Sequence, residues 1–367
     1  MKKIVNIITI STFFLILVMF SVSMIFFQKR ISLRSEIKED QRAKTAVQKY
    51  VSYNFPLREN LHSLYVNLMS FTGKSTYDNI YILNDRLIEL GKKDNEKVIE
   101  KNVNQLNEFS ENTDKSVYLM LAPTAAGVYS SLIPTDVAGI NQKKMINDIN
   151  QKMNKNINTI DSFYPLYSAR EEYIYYRTEN MWTSFGAYFA YVEASKKMGL
   201  VSQTMSNYDQ EYAYDNYYGN LYHTVPYGKI QPDRINLFRS KFQSTVTDVE
   251  LKNGENEIRA KSVYFYSAVK TDKKTDIYLQ GDRYEQVDIN TSVENGKKLL
   301  IIKGSYANTL TPFFTPHYDK ITLIDPYKIK QQGKKLNDLI NLNDYDDILV
   351  MFDIDDFSSK DCFDVLI

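Results

Sequence analysis

The sequence predicts an α/β fold built on a mostly parallel sheet, and three observations lead there. Residues 116–122 (Ser-Val-Tyr-Leu-Met-Leu-Ala), 298–303 (Lys-Leu-Leu-Ile-Ile-Lys), 321–324 and 348–352 are short, continuous apolar runs of strand length. Stretches with helical periodicity stand between such runs. A strand buried on both faces needs no polar alternation, so this rhythm implies a sheet with helices on either side. No internal repeat or low-complexity linker divides the chain after residue 50. Residues 51–367 therefore read as one domain, long enough to bury a large core.

The elements follow in order. An uncharged run over residues 4–27 stands between Lys2-Lys3 and Gln28-Lys29-Arg30. At 1.5 Å per residue it makes roughly 36 Å of helix, enough to cross a bilayer with some tilt. A cleaved signal peptide is the competing reading, but its apolar stretch is usually about 7–15 residues long. The run is read as a retained single-pass anchor, with the bulk of the chain outside the cell membrane. Residues 28–50 are a charged juxtamembrane stalk or helix. The strand at 116–122 ends at Pro123, and 142–155 is an amphipathic helix. Residues 173–178 read as a strand leading into a helix at 183–198, stopped by Gly199. Further helices are expected at 306–317 and 334–342. Between about 203 and 295 the rhythm breaks, and this polar, Tyr-rich stretch reads as an irregular or β-rich insertion.

Composition removes several functions. The chain has 367 residues, with 45 basic and 45 acidic side chains. Without a basic excess it lacks the footprint of a nucleic-acid binder. Its one cysteine, Cys362, permits neither a disulfide framework nor a cysteine zinc site. The three histidines, His62, His223 and His317, show no metal-ligand spacing, and Asp353-Ile-Asp-Asp-Phe lacks the glycine and glutamate of a calcium loop. There is no glycine-rich phosphate loop. No metal or cofactor is expected.

In an open α/β sheet, ligands bind beyond the carboxyl ends of the strands. Two such ends carry polar residues: 177–182 (Arg-Thr-Glu-Asn-Met-Trp) and 303–308 (Lys-Gly-Ser-Tyr-Ala-Asn). Ser305 leaves a buried strand and enters a helix, where N–H groups could stabilise an oxyanion. From spacing alone it reads more simply as an N-cap after a glycine. Six tyrosines between Tyr208 and Tyr222 offer either a saccharide-binding face or half-buried strand residues.

The segment 175–188, Tyr-Tyr-Arg-Thr-Glu-Asn-Met-Trp-Thr-Ser-Phe-Gly-Ala-Tyr, resembles the signature block of the DHHW family, Y-Y-R-T-D-H-H-W-T-x-x-G-A-Y. Residues 298–314 are similar to that family's K-D-S-Y-A-N-S block. Residues 316–326 match the strand that follows, and Phe55-Pro56-Leu57-Arg58-Glu59 resembles its early F-P-x-R-D motif. The resemblance spans roughly residues 50–360 and relates the chain to SGNH-type alginate O-acetyltransferases. It implies an SGNH-like three-layer domain and a Ser–His–Asp arrangement acting on an acetyl ester. Carried over, the nucleophile position is Ser305, the orienting acid Glu179 and the general base Met181. Arg177, Thr178, Asn180, Trp182, Tyr306, Asn308, Tyr218 and Tyr222 form the expected substrate-binding set.

Two of these positions are chemically wrong for the reaction. A thioether cannot accept a proton near neutral pH, so Met181 cannot activate a hydroxyl. Glu179 has no imidazole to orient, and Gly304 replaces the aspartate that usually precedes the serine. The expected protein is a catalytically inactive or impaired member that binds a cell-surface polysaccharide or assists its O-acetylation. Its expected partner is a membrane-bound O-acyltransferase. The alternative is an active O-acetyltransferase or esterase using Ser305 with an atypical base, either His223 or Glu179 acting directly. His317 should lie on the wrong edge of the sheet. A third reading is a structural envelope protein without a ligand.

Overall fold

A computed structural model describes residues 2–26, 58–91, 95–241 and 246–367. The expected stalk at 28–50 and the motif residues Phe55, Pro56 and Leu57 lie outside the described residues. The chain forms two compact units. One holds the apolar helix Lys2–Phe26, the helix Arg58–Phe71 and residues Val225–Gly228. The window Asn6–Ser23 has a mean hydropathy of 2.1 and none of it is buried, so length and composition suit a membrane crossing.

The second unit carries the strands. A small antiparallel sheet comes first, from β1 (Thr76–Tyr77), β2 (Ile80–Leu83) and β3 (Arg86–Glu89). Next come β4 (Ser116–Ala122) and β5 (Ile157–Ile160), then β6 (Tyr208–Tyr217) and β7 (Asp233–Ser240). The chain continues through β8 (Val246–Asn253), β9 (Asn256–Ala260) and β10 (Gln286–Thr291). The last three are β11 (Lys298–Lys303), β12 (Lys320–Ile324) and β13 (Asp347–Asp353). The main sheet has eight strands in the order β5-β4-β13-β11-β12-β10-β8-β9. The five from β5 to β12 run parallel, and β10, β8 and β9 extend them antiparallel.

Side chains along the central strands alternate between two apolar cores, as the two-residue period of a strand requires. Leu299, Ile301, Leu349 and Met351 enter one core with the helix Ser184–Lys197; Leu300, Ile302, Ile348 and Val350 enter the other with the helices Glu96–Glu111 and Gln142–Lys152. These are the three layers expected. The helix at 184–197 starts where the sequence puts it: the Thr183 side chain accepts from the Gly186 N–H at 3.2 Å. It stops at Gly199, whose φ is +69°.

Four expectations need correction. The stretch at 203–295 is not one insertion, because β8, β9 and β10 belong to the main sheet and only β6 and β7 form a separate ribbon. Residues 173–178 are not a strand. Only Tyr175 pairs, with Trp182, while the N–H groups of Arg177 and Thr178 go to a carboxylate instead of a neighbouring strand. The helix at 306–317 is a single α-turn, Ala307–Leu310, followed by a 3₁₀ turn, Thr311–Phe314. Pro312 brings no N–H to the ladder there. The helix expected at 334–342 forms earlier, as Pro326–Gln331, capped by Asp325 and ended at Gly333. Residues 336–338 keep only a 3₁₀ turn.

Candidate active site

Ser305 follows the carboxyl end of β11, the edge where ligands bind in parallel sheets. Its hydroxyl donates to Asp282 Oδ2 at 2.6 Å. Asp282 Oδ1 also accepts from Lys303 Nζ at 2.7 Å and from Asn308 Nδ2 at 2.8 Å. Lys303 Nζ donates in turn to Asn308 Oδ1 at 3.1 Å. The lysine is enclosed, with 1% of its side chain exposed, while Asp282 keeps 41% open to the cleft. Burial pushes the Asp282 carboxyl up, but Lys303 and the donors from Ser305 and Asn308 outweigh it. The group is held far below the usual carboxylate range.

Asp282 arrives by an uncommon backbone path. Leu279, Gln280 and Gly281 have φ of +51°, +59° and +67°, three consecutive residues in the left-handed region. For Leu279 and Gln280 this conformation costs on the order of 1 kcal/mol each. The run turns the chain just before β10, which lies antiparallel to β12 and so begins at the same sheet edge where β11 ends.

The signature segment reaches the cleft from the other side. Tyr176 N–H donates to Met181 O at 3.1 Å, and Met181 N–H to Glu179 O at 3.0 Å, closing a tight loop. Glu179 Oε2 accepts from the Tyr217 hydroxyl at 2.7 Å and from Asn220 N–H at 3.1 Å; Oε1 accepts from Asn180 N–H at 3.1 Å. Burial and the adjoining carboxylate keep the Tyr217 phenol protonated. Asn180 reaches Glu89 at 2.6 Å. Beneath the loop, Asp233 accepts from Tyr173 at 2.5 Å, from the N–H groups of Arg177 and Thr178 at 2.7 and 2.8 Å, and from the Thr178 hydroxyl. Burial raises the Asp233 carboxyl, and those donors pull it back.

Glu179, Asn180, Met181, Ser305, Tyr306 and Asn308 thus line one cleft of about 170 Å³, with Asp282 on its floor. Other expected binding residues sit elsewhere. Trp182 and Thr178 are fully enclosed, at 0% exposure, so neither can touch a ligand. The Trp182 indole instead donates to Tyr306 O at 3.1 Å. Tyr306 borders the cleft with only 2% of its surface exposed. Arg177 is paired with Asp85 at 3.0 Å. Tyr218 and Tyr222 are half-buried and pack against one another, ring centroids 4.2 Å apart and planes tilted by 36°, outside the residues that line this cleft.

None of the histidines lines this cleft. His317 Nε2 meets the Tyr191 hydroxyl at 2.6 Å, and its carbonyl accepts from Asn295 just ahead of β11, at the opposite edge of the sheet from Ser305. Burial lowers its imidazole to about 4. His223 is exposed on the turn Asn220–Thr224. His62 is on the helix Arg58–Phe71. Among the described residues no group of three or more His, Cys, Asp or Glu could hold a metal.

Gly304 has a packing reason to be glycine. A Cβ there would lie 3.0 Å from Phe352 Cδ1 and 3.3 Å from Phe352 Cα. Asp282 was not legible in the sequence. Its only local signal is a Gly-Asp pair after a glutamine and ahead of a strand, which describes many turns.

Layer order, strand directions and the convergence of residues 179–181 with Ser305 define an SGNH-like α/β domain. The chain belongs to the DHHW family, whose model, described as DHHW protein, matches residues 58–324. A DHHW family protein from Eubacterium siraeum is similar in structure, with 22% identity, a TM-score of 0.62, and coverage of 79% of this chain and 96% of that one. Bacillus cereus PatB1 with a sulfonyl adduct is similar at 16% identity and TM-score 0.64, covering 77% and 98%. The O-acetyltransferase domain of Pseudomonas putida AlgJ gives 13% identity and TM-score 0.42, covering 72% and 85%. At these identities the likeness to the first two is one of fold. No curated protein matches the sequence.

Proposed function

We propose that this DHHW protein is a membrane-anchored, extracytoplasmic domain that binds an envelope polysaccharide and is catalytically impaired. One observation carries the reading. The Ser305 hydroxyl is engaged by a carboxylate, Asp282, whose proton affinity is depressed by Lys303. A base accelerates a hydroxyl attack best when its pKa lies near the working pH. Asp282 lies far below that range, and Met181 offers only sulfur. A negative charge at 2.6 Å also opposes the alkoxide and oxyanion that acyl transfer must form. The Tyr218–Tyr222 pair, its ring planes tilted by 36°, supplies aromatic surface beside hydroxyls, suited to contact with a sugar.

The test uses the full-length protein in detergent, incubated with phenylmethylsulfonyl fluoride and, separately, with 4-nitrophenyl acetate. No adduct on Ser305 and no Ser305-dependent turnover are expected. Hydrolysis abolished by Ser305→Ala would establish the second reading, an active O-acetyltransferase or esterase. The observation favouring that reading is the same short contact, with Asp282 serving as the atypical base in place of His223 or Glu179. Binding of envelope polysaccharide, weakened by Tyr218→Ala with Tyr222→Ala, separates both readings from a purely structural protein. A membrane-bound O-acyltransferase as partner would be recovered by crosslinking in native membranes. The mass of the protein taken from membranes decides whether the first helix is retained.

A further inference from the structure

The cleft that holds Ser305 is rich in acceptors. Glu179, Asp276 and Asp282 line it, and Lys273, exposed to solvent, is the only cationic side chain among its lining residues. Lys303 answers Asp282 from the interior, and Arg283 answers Asp276 at 2.8 Å. Glu179 differs from both. Its hydrogen bonds come from the Tyr217 phenol and two backbone N–H groups, and among the described residues no cation pairs with it. The donors nearest the serine are turned inward: the Ser305 hydroxyl and the Asn308 amide give to Asp282. The Asn180 amide gives to Glu89, which leaves its Oδ1 to accept. Side-chain donors remain on Lys273, Asn220 and Thr275.

We propose that this cleft receives the free amino group of a sugar, the ammonium of a de-N-acetylated hexosamine unit, seated against Glu179 and Asp282. The inference rests on the polysaccharide-binding reading above and names the sugar it takes. An ammonium carries three donors and no acceptor, the complement of these carboxylates. Hydrogen bonds with an ionised partner are roughly twice as strong as neutral ones. An O-acetyl or N-acetyl carbonyl would instead bring an acceptor to acceptors, and a uronate or phosphate would add like charge. Among the described residues these carboxylates form no group that could hold a metal ion in its place. At about 170 Å³ the space falls below the roughly 300 Å³ at which pockets for drug-sized ligands begin, so one sugar unit enters. The rest of the chain is left for the Tyr218–Tyr222 pair outside the cleft.

The test titrates the full-length protein in detergent, by calorimetry, with glucosamine oligomers and with N-acetylglucosamine oligomers of the same length. The glucosamine oligomer is expected to bind at least about tenfold more tightly, the worth of one charge-assisted hydrogen bond. Glu179→Gln should erase that preference. Lys273→Ala, a change at an exposed side chain, should widen it. Equal affinity, tighter binding of the N-acetylated oligomer, or a preference that survives Glu179→Gln or shrinks in Lys273→Ala overturns the proposal. Oligolysine binding as tightly as the glucosamine oligomer overturns it in favour of a peptide. Envelope polysaccharide bound with no discrimination between the two oligomers defeats this inference alone, whereas loss of all saccharide binding defeats the reading beneath it as well.

Discussion

Gly219 packs so closely on Glu179 that a methyl group in place of its hydrogen would sit 2.7 Å from Glu179 Cβ and 2.6 Å from Thr178 O. Only a residue without a side chain lets the end of the tyrosine-rich ribbon bring the Asn220 N–H and the Tyr217 hydroxyl to that carboxylate. Gly219→Ala is expected to destabilise the protein by about 1–3 kcal/mol, the usual cost of overpacking. Urea unfolding checks the cost, and weaker glycan binding would show that the cleft had moved with the turn.

Asp282→Asn keeps the shape of the network and leaves Lys303 buried without its anion. Breaking a buried pair costs about 3–5 kcal/mol. Asp282 is partly open to water, so a loss of about 1–3 kcal/mol is expected here. Asp282→Asn combined with Lys303→Met removes both charges and should recover part of that loss, read as the midpoint of denaturation.

Restoring a base should restore chemistry. Glu179→Asp with Met181→His and Asp282→Asn places an acid and an imidazole opposite Ser305 and removes the opposing charge. Hydrolysis of 4-nitrophenyl acetate is expected to rise by at least about 10²-fold, the lower range for a positioned general base. Adding Gly304→Asp should lower the yield of folded protein, because Phe352 occupies the space. No gain in turnover from the triple variant would show that the site lacks more than these groups.

His317 makes the fold acid-sensitive. Its imidazole is neutral in the folded protein, with burial lowering it to about 4, against about 6.5 when unfolded. Between those values the unfolded chain binds the extra proton, so stability is fully present above about 6.5 and is lost as pH falls toward 4. The loss is on the order of 1–3 kcal/mol. His317→Gln should flatten thermal stability across that window, at the price of a weaker fold near neutral pH.

Much of the fold could be read ahead of the structure because the parallel strands are written in one kind of residue. Leu299 to Ile302 are buried from both sides, and no other arrangement suits four aliphatic residues between two lysines. The helix after Thr183 announced itself by a cap and a terminal glycine. The expected strand at 173–178 failed for a reason periodicity cannot carry: its last two backbone donors, Arg177 and Thr178, serve Asp233, more than 50 residues further along the chain. Asp282 was hidden for the same reason. Nothing near it in sequence resembles Ser305, and the two meet only after the sheet has reversed direction between them.

That reversal has a consequence for what can be removed. The antiparallel wing β8–β10 resembles an edge decoration of the sheet, yet the loop that feeds β10 delivers the carboxylate holding the serine. Trimming the wing to leave a tidy five-stranded parallel core would therefore free the hydroxyl and strand an ammonium group in the interior. Shape and inertness are coupled in this molecule, and a smaller version of it would be a different chemical object.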